Sequence, residues 1–182
     1  MKRIVCLISA ICIVISCFAG CSSSSIVRND YTAKMPSGSM ENTIMTNDMV
    51  AGDYHAYDDR NPRRGEVIAF KFPDNEYESF VKRIIGLPGE TVYIRDGKIY
   101  INGSKQPLKE DYLKEEWVEG NDYEEPFKVP KNSYFVLGDN RNVSNDSRYW
   151  QNKYVKRGKI SAKINKVVSP EKHRKEIKTP KY

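Results

Sequence analysis

The feature that most limits the fold of this chain is how often residues unsuited to long helices interrupt it. Nine prolines, eleven glycines and twelve tyrosines are spread over 182 residues, and no segment keeps the apolar period of a long helix. Short runs rich in Val, Ile, Phe and Tyr lie between Pro, Gly, Asn and Asp, which is typical of strands. The chain is also 39% hydrophobic, so disorder of the whole is not expected. The sequence therefore predicts a single, mainly β domain.

Strand positions follow from alternation and from turn signals. The pair Asp96-Gly97 predicts a two-residue hairpin loop with positive φ, which joins strands at 91–95 and 98–101. Further strands are predicted at 66–72, 79–87, 133–137 and 160–168. The acidic stretch 109–125, which contains Trp117, is expected to be a solvated insertion, with a helical excursion as the alternative.

Thiol chemistry is confined to the beginning of the chain. The four cysteines are Cys6, Cys12, Cys17 and Cys21. Everything after residue 21 therefore lacks a thiol for a disulfide, a zinc site or nucleophilic attack. The two histidines, His55 and His173, show no paired ligand spacing, so neither a metal site nor a cofactor is expected.

The first 21 residues predict membrane attachment. Lys2 and Arg3 precede the apolar run 4–20, which is the layout of a secretory leader. That run is near the minimum of about 17 residues for crossing a bilayer, so both a retained anchor and a cleaved leader fit. Phe18-Ala19-Gly20-Cys21 also resembles a lipoprotein processing box, in which Cys21 would be lipidated. The retained anchor and the lipidated form both hold a domain at the outer face of the cell membrane.

The rest of the chain divides into a polar tether at 22–34, a domain at 35–169 and a basic tail at 170–182. Positive charge from residue 153 onward favours attraction to anionic lipid headgroups. Nucleic acid is not an expected partner, because the domain is exported and aromatic residues do not alternate with the basic ones.

Two segments could carry chemistry, although each alone has a simpler interpretation. In Pro36-Ser37-Gly38-Ser39-Met40 two serines flank a glycine, and such residues are common in ordinary turns. A serine becomes a useful nucleophile only beside a base. In the second segment, Lys82 and Arg83 lie within an apolar strand, which directs them to opposite faces. The alternative is that both extend to water from an edge strand.

A third segment, 138–150, is a polar turn dense in Asp, Asn, Ser and Arg. Its spacing does not fit the helix-loop-helix calcium site, and Arg141 would place a cation among the ligands. A hydrogen-bonded turn, with Asp146 paired to Arg148 or to Arg141, fits better.

Together and in this order, the three segments resemble the type I signal peptidases, membrane-bound serine proteases that use a lysine as general base. The resemblance covers about 36–150 and includes Arg64-Gly65-Glu66-Val67, which is similar to the strand box of that family. It implies an antiparallel-sheet Ser-Lys protease fold with an N-terminal membrane-anchor helix. One departure is Asn42, where the family usually has proline, and a loss of local rigidity is expected there.

The resemblance also implies a role for each matching residue. Ser39 would be the nucleophile and Lys82 its base, while Ser37 and the Ser39 amide would form the oxyanion hole. Ser144 would hydrogen-bond Lys82 and orient it. Asp146 and Arg148 would brace the turn, and no metal or cofactor would be required.

The function implied is removal of N-terminal signal peptides, with small residues before the cut, from exported preproteins delivered by the secretion translocon. Two alternatives remain open at this point. One is a Ser-Lys protease that cuts itself, although an N-terminal DNA-binding domain would be expected there. The other is a non-catalytic surface lipoprotein that uses the same fold as a scaffold.

Overall fold

The computed structural model describes residues 30–118 and 121–182. Eleven strands form the regular structure of this part, together with two short 3₁₀ turns at Arg157–Lys159 and Glu171–His173. The strands are β1 (Tyr31–Lys34), β2 (Met49–Asp53), β3 (Val67–Phe72), β4 (Asn75–Gly86), β5 (Thr91–Arg95), β6 (Lys98–Ile101), β7 (Phe127–Lys128), β8 (Ser133–Leu137), β9 (Val155–Lys156), β10 (Ile160–Ser169) and β11 (Lys175–Glu176).

Every strand pair is antiparallel, which confirms the predicted mainly β, antiparallel fold. The larger sheet has the order β1-β2-β10-β3-β4-β8-β9, and β11 pairs with β10. The smaller sheet has the order β6-β5-β7. The central strand β4 therefore lies between β3 and β8 and carries residue 82 into the middle of the larger sheet.

The strands with the clearest local signals were predicted well. β5, β6 and β8 have the predicted bounds, and in the hairpin loop Asp96 and Gly97 have φ values of 47° and 68°. Strand β4 begins at Asn75 rather than at residue 79, because its first half forms an exposed hairpin with β3 beyond the apolar run.

The predicted tether is wrong for its last four residues, which form β1. Tyr31 and Ala33 are half-buried and pack against a core cluster, whereas Thr32 and Lys34 are exposed. This alternation puts one face of a short polar segment into the core. The first described strand of the larger sheet therefore lies within the predicted tether.

The prediction of a solvated insertion at 109–125 is wrong for Trp117, whose side chain is 4% exposed. Trp117 packs in the cluster under the smaller sheet, and the Arg141 guanidinium lies 4.9 Å from its ring centroid. The acidic neighbours face water while the ring is covered. The described part of 109–125 contains no helix.

The predicted basic tail at 170–182 folds back on the domain. The Ile177 amide donates to the Asn165 carbonyl at 2.7 Å, and the Tyr182 and Tyr112 hydroxyls lie 3.0 Å apart. Burial raises the pKa of Tyr182. This segment is part of the packed structure rather than a free charged tail.

An aromatic cluster stiffens the hairpin of β3 and β4. The rings of Phe72 and Phe80 stack at 4.4 Å, and Trp150 meets both edge-on at 5.3 and 6.0 Å. Such contacts add about 0.5–1.5 kcal/mol per pair beyond burial. They fix the part of β4 that precedes Lys82.

The predicted anchor or leader at 1–21, including Cys21, lies outside the described residues. Within the part of the chain that the structure covers, no helix has the length and apolar character needed to cross a membrane.

Candidate active site

The loop between β1 and β2 carries Ser39 and is held at both ends and in its middle. Met35 donates its amide to the Asp48 carbonyl at 2.8 Å, which closes the loop. Met40 and Ile44 are fully buried in the core, and the Ile44 amide donates to the Met40 carbonyl at 2.8 Å. Ser39 therefore lies one residue from a rigid anchor and is itself 6% exposed.

Asn140 clamps the backbone on the other side of Ser39. Its amide donates to the Ser39 carbonyl at 3.1 Å, and its side-chain Nδ2 donates to the Gly38 carbonyl at 3.1 Å. Asn140 lies in the polar turn 138–150, whose sequence does not indicate this contact. The two bonds attach the serine loop to the segment that follows β8.

The structure brings Ser39 and Lys82 together. Lys82 Nζ donates to Ser39 Oγ at 2.8 Å and to the Val81 carbonyl at 3.2 Å. The lysine side chain is buried, with its ammonium nitrogen 5.3 Å from the Phe80 ring centroid. The alternative in which Lys82 and Arg83 both extend to water does not hold, because Arg83 is also buried.

Burial dominates the acid-base behaviour of Lys82. Desolvation lowers its pKa from 10.5 to about 8, although the negative charges of Asp146 and Asp139 oppose the shift. A lysine with an ordinary pKa would be almost wholly protonated at neutral pH. Here a substantial fraction of the amine is neutral in weakly alkaline solution and can accept a proton.

Ser37 lies beside the pair on the exposed side of the loop. Its hydroxyl donates to Ser39 Oγ at 3.3 Å, the long end of the hydrogen-bond range. The side chain is therefore within reach of a group bound to Ser39.

Ser144 does not make the predicted bond to Lys82, and that expectation is wrong for this structure. Ser144 is 3% exposed, and its hydroxyl has no hydrogen-bond partner among the described residues. It packs against Gly138, where an added Cβ would collide with Ser144 Oγ and with the Ser39 carbonyl oxygen. The Lys82 amine instead hydrogen-bonds to Ser39 Oγ and to the Val81 carbonyl.

Asp146 and Arg148 form the core of the polar turn. Arg148 Nε donates to Asp146 Oδ1 at 2.8 Å, and Asp146 Oδ2 accepts from the Gly138 amide at 3.0 Å. Both side chains are buried, and Arg148 also donates to the Arg141 and Ser144 carbonyls at 2.7 and 3.3 Å. These contacts brace the turn that carries Asn140 and Ser144.

A second buried ion pair joins Arg83, the residue after Lys82, to Asp139. Arg83 donates through Nε and Nη2 to Asp139 at 2.8 and 2.6 Å, and Asp139 also accepts from the Thr43 hydroxyl. Arg83 Nη1 donates to the Gly65 carbonyl at 2.6 Å. The pair joins β4, the serine loop and the polar turn. Sequence reasoning did not assign Asp139, although an arginine inside an apolar strand signals a buried acidic partner.

Breaking this pair should destabilise the domain strongly. Asp139→Asn would leave the guanidinium of Arg83 buried without a counter-charge, which costs about 3–5 kcal/mol. Urea unfolding of the full chain measures the loss. Asp111→Asn is the matched control, because Asp111 forms only an exposed pair with Lys109 and its loss should change stability little. Equal, small effects of the two substitutions would contradict the structural role of Asp139.

Asn42 has φ of 80°, which a proline cannot adopt. Its Nδ2 donates to the Tyr112 and Leu113 carbonyls at 3.1 and 3.2 Å, and its own carbonyl accepts from Lys175 at 2.9 Å. These bonds restrain the serine loop in a different way from a proline ring.

A groove of about 610 Å³ opens beside Ser39 and Lys82. Its walls include Tyr31 and residues 33–35 on one side and residues 78–81 on the other. Strand β1 is at the edge of the sheet, and this part of β4 pairs only with β3. Two strand edges without a further strand partner among the described residues therefore face the groove, which suits an extended peptide.

The described residues contain no group of three or more His, Cys, Asp or Glu side chains that could hold a metal ion. At the groove, the Ser39 hydroxyl lies beside the desolvated amine of Lys82.

Comparison with known proteins gives one family. The family model described as "Signal peptidase, peptidase S26" matches residues 3–169. "Probable signal peptidase I-2" of a Synechocystis species is 43% identical over 122 residues, covering 64% of this chain and 53% of that protein. "Signal peptidase I" of Leptolyngbya laminosa is 42% identical over 134 residues, covering 69% of this chain and 62% of that protein. The chain thus spans about half to three fifths of the length of these relatives.

Among solved structures, a crystal structure of a signal peptidase I from Enterococcus faecalis is 40% identical in sequence, with a TM-score of 0.46. The match covers 60% of this chain and 98% of that one.

Proposed function

Because this chain belongs to the signal peptidase family, peptidase S26, we propose that it is a serine endopeptidase that cleaves signal peptides from exported preproteins. Ser39 is the proposed nucleophile and Lys82 the proposed general base. The observation that carries the proposal is the 2.8 Å contact between Lys82 Nζ and Ser39 Oγ at a buried lysine, on the edge of a peptide-sized groove.

The first proposed step is acylation. Neutral Lys82 takes the proton of Ser39 Oγ as the oxygen attacks the peptide carbonyl carbon. The resulting tetrahedral intermediate collapses when the lysine ammonium donates that proton to the leaving amine. The carbon–nitrogen bond breaks, and an ester to Ser39 remains.

Negative charge develops on the substrate carbonyl oxygen during this step and needs hydrogen-bond donors. We assign that role to the Ser39 amide and the Ser37 hydroxyl, whose oxygen is 3.3 Å from Ser39 Oγ. Lys82 then activates a water molecule, which hydrolyses the ester and restores Ser39. None of these steps requires a metal or cofactor.

The proposed substrate binds as an extended strand between β1 and β4. Main-chain hydrogen bonds to the two strand edges would hold it, and alternate side chains would point into the groove. Small residues before the cut are expected from the family resemblance. The apolar walls near Ser39, formed by Met35, Phe80 and Val81, suit such side chains.

We also propose that residues 1–21 attach the enzyme to the cell membrane with its domain on the outer side, near the secretion translocon. Mass spectrometry of the purified protein distinguishes the two forms of attachment. A retained Met1 indicates an anchor, whereas a chain that begins at a diacylated Cys21 indicates a lipoprotein.

A cleavage assay tests the proposed function. The full chain in neutral detergent should cut a preprotein once, after a small residue at the end of its signal peptide, and N-terminal sequencing of the product should locate the cut. Absence of cleavage across several preproteins and an alanine-rich reporter peptide would favour the non-catalytic scaffold and contradict the proposal.

A further inference from the structure

A second groove lies along the β3–β4 hairpin and shares no lining residue with the Ser39 groove. It has a volume of about 780 Å³. Its walls come from residues 130–133, from residues 152–159 and from the hairpin at Lys71, Pro73 and Glu76. It contains neither Ser39 nor Lys82, so the proposed cleavage does not use it.

The charge of this groove is strongly one-sided. It contains one carboxylate, Glu76, which pairs with Lys159 at 2.5 Å. Lys153 interacts electrostatically with the carboxylate of Asp74, and the other four cationic side chains of the groove form no ion pair with a described residue. The six cationic residues are Lys71, Lys131, Lys153, Lys156, Arg157 and Lys159.

The groove is held in shape by the fold. Ser133 and Lys156 are paired between β8 and β9, and the Arg157 amide donates to the Asn132 carbonyl at 2.8 Å. Arg157 Nη2 donates to the Tyr57 carbonyl at 2.6 Å. Lys131 and Lys156 are exposed in the groove. Fixed and exposed cations therefore face one concavity, which is the electrostatic requirement for a phosphate site.

We propose that this groove binds the phosphate headgroups of anionic phospholipids. The reason for choosing a membrane surface is distance. The apolar run ends at residue 20 and β1 begins at Tyr31, so the intervening chain can span at most about 35 Å. With residues 1–21 attached to the membrane as proposed above, the domain stays within that distance of the lipid headgroups.

The hairpin supplies a second argument. Tyr77 lies at the start of β4, between Glu76 of the basic groove and Glu78 of the Ser39 groove in the sequence, and is 97% exposed. Tyrosine is enriched at membrane interfaces because its ring is apolar and its hydroxyl is polar. Headgroups in the basic groove would hold this hairpin near the bilayer and fix the orientation of the Ser39 groove. The proposal rests on the proposed membrane attachment and not on the proposed cleavage.

Hydrogen exchange on the full chain tests it. The protein is placed in nanodiscs of phosphatidylcholine alone and in nanodiscs with two parts phosphatidylcholine to one part phosphatidylglycerol. Backbone amides of 131–133 and 152–159 should exchange more slowly in the anionic discs. High salt should remove the difference, because at 1 M the screening length falls to about 3 Å.

Matched variants assign the effect to the groove. Lys131→Gln with Lys156→Gln should abolish the difference, since two cations together contribute about 30-fold at an anionic surface. Lys98→Gln with Lys105→Gln removes the same charge from exposed positions outside the groove and should leave the difference intact. Cleavage of a reporter peptide in neutral detergent should be unchanged in both double variants, which separates this test from that of the proposed function.

Three results would overturn the proposal. The first is equal exchange in neutral and anionic discs. The second is an unchanged lipid effect in the Lys131→Gln/Lys156→Gln variant. The third is full protection of the groove in neutral detergent by inorganic phosphate or by polyglutamate, which would assign it to a soluble phosphate or an acidic peptide.

Discussion

Ser39→Ala should abolish peptide cleavage, with kcat lower by about 10⁶, the effect of removing a serine nucleophile. The substitution deletes the one oxygen that Lys82 Nζ contacts at 2.8 Å and that faces the peptide groove. Substrate binding should persist, because the walls of the groove are unchanged. Turnover of a fluorogenic peptide and equilibrium binding of the same peptide measure the two effects separately.

Ser104→Ala is the matched control for this substitution. Ser104 is exposed in the loop after β6, outside the groove, and its loss should change turnover by less than about twofold. Near-normal cleavage by the Ser39 variant would mean that a different group attacks the substrate.

Lys82→Met should lower kcat by about 10⁴, the upper range for loss of a general base. Methionine keeps the length and apolar stem of the side chain but cannot accept the Ser39 proton. Because the two residues act as a unit, the double variant with Ser39→Ala should be no slower than Ser39→Ala alone. Additive losses in the double variant would contradict a shared step.

The same Lys82→Met substitution should stabilise the fold at neutral pH. Burial lowers the pKa of Lys82 from 10.5 to about 8, so the unfolded chain binds more protons between these values. The cost to folding is complete below pH 8, at up to roughly 3 kcal/mol, and disappears above pH 10.5. Replacing the lysine removes that cost.

Lys128→Met is the control for stability, because Lys128 is exposed on β7 and should leave both activity and unfolding little changed. A less stable Lys82→Met protein would mean that the lysine contributes more through its hydrogen bonds than it costs through burial.

The parts of the fold set by neighbouring residues could be predicted from the sequence. The hairpin around Asp96 and Gly97 is such a case, because two adjacent positive φ values and the alternation on either side define it locally. Alternation also predicted that Lys82 and Arg83 point to opposite faces of their strand, but it left open whether Lys82 extends to water, and the structure shows that the side chain is buried.

Contacts between distant segments could not be predicted in the same way. Trp117 lies in an acidic stretch, and only the cluster under the smaller sheet shows that its ring is covered. Ser144 was expected to hydrogen-bond Lys82, but its hydroxyl packs against Gly138 and has no hydrogen-bond partner among the described residues. β1 was read as tether because its four residues acquire an inner face only when they pair with β2.

The Arg83–Asp139 pair shows how the fold supports the candidate site. Alternation along β4 sends Lys82 toward Ser39 and Arg83 toward Asp139. The carboxylate of Asp139 lies one residue before Asn140, whose amide holds the Ser39 carbonyl. Strand β4 thus supplies the proposed base, Lys82. The next residue, Arg83, holds the polar turn through Asp139, and that turn fixes the backbone of Ser39, the proposed nucleophile.

The pH dependence of kcat/KM for a single reporter peptide tests most directly whether Lys82 acts as the base. Since the neutral amine is the active form, kcat/KM should rise about tenfold per pH unit below an apparent pKa of about 8 and level off above it. A profile already flat at pH 6, or a rising limb near the ordinary histidine value of about 6.5, would contradict the Ser39–Lys82 account.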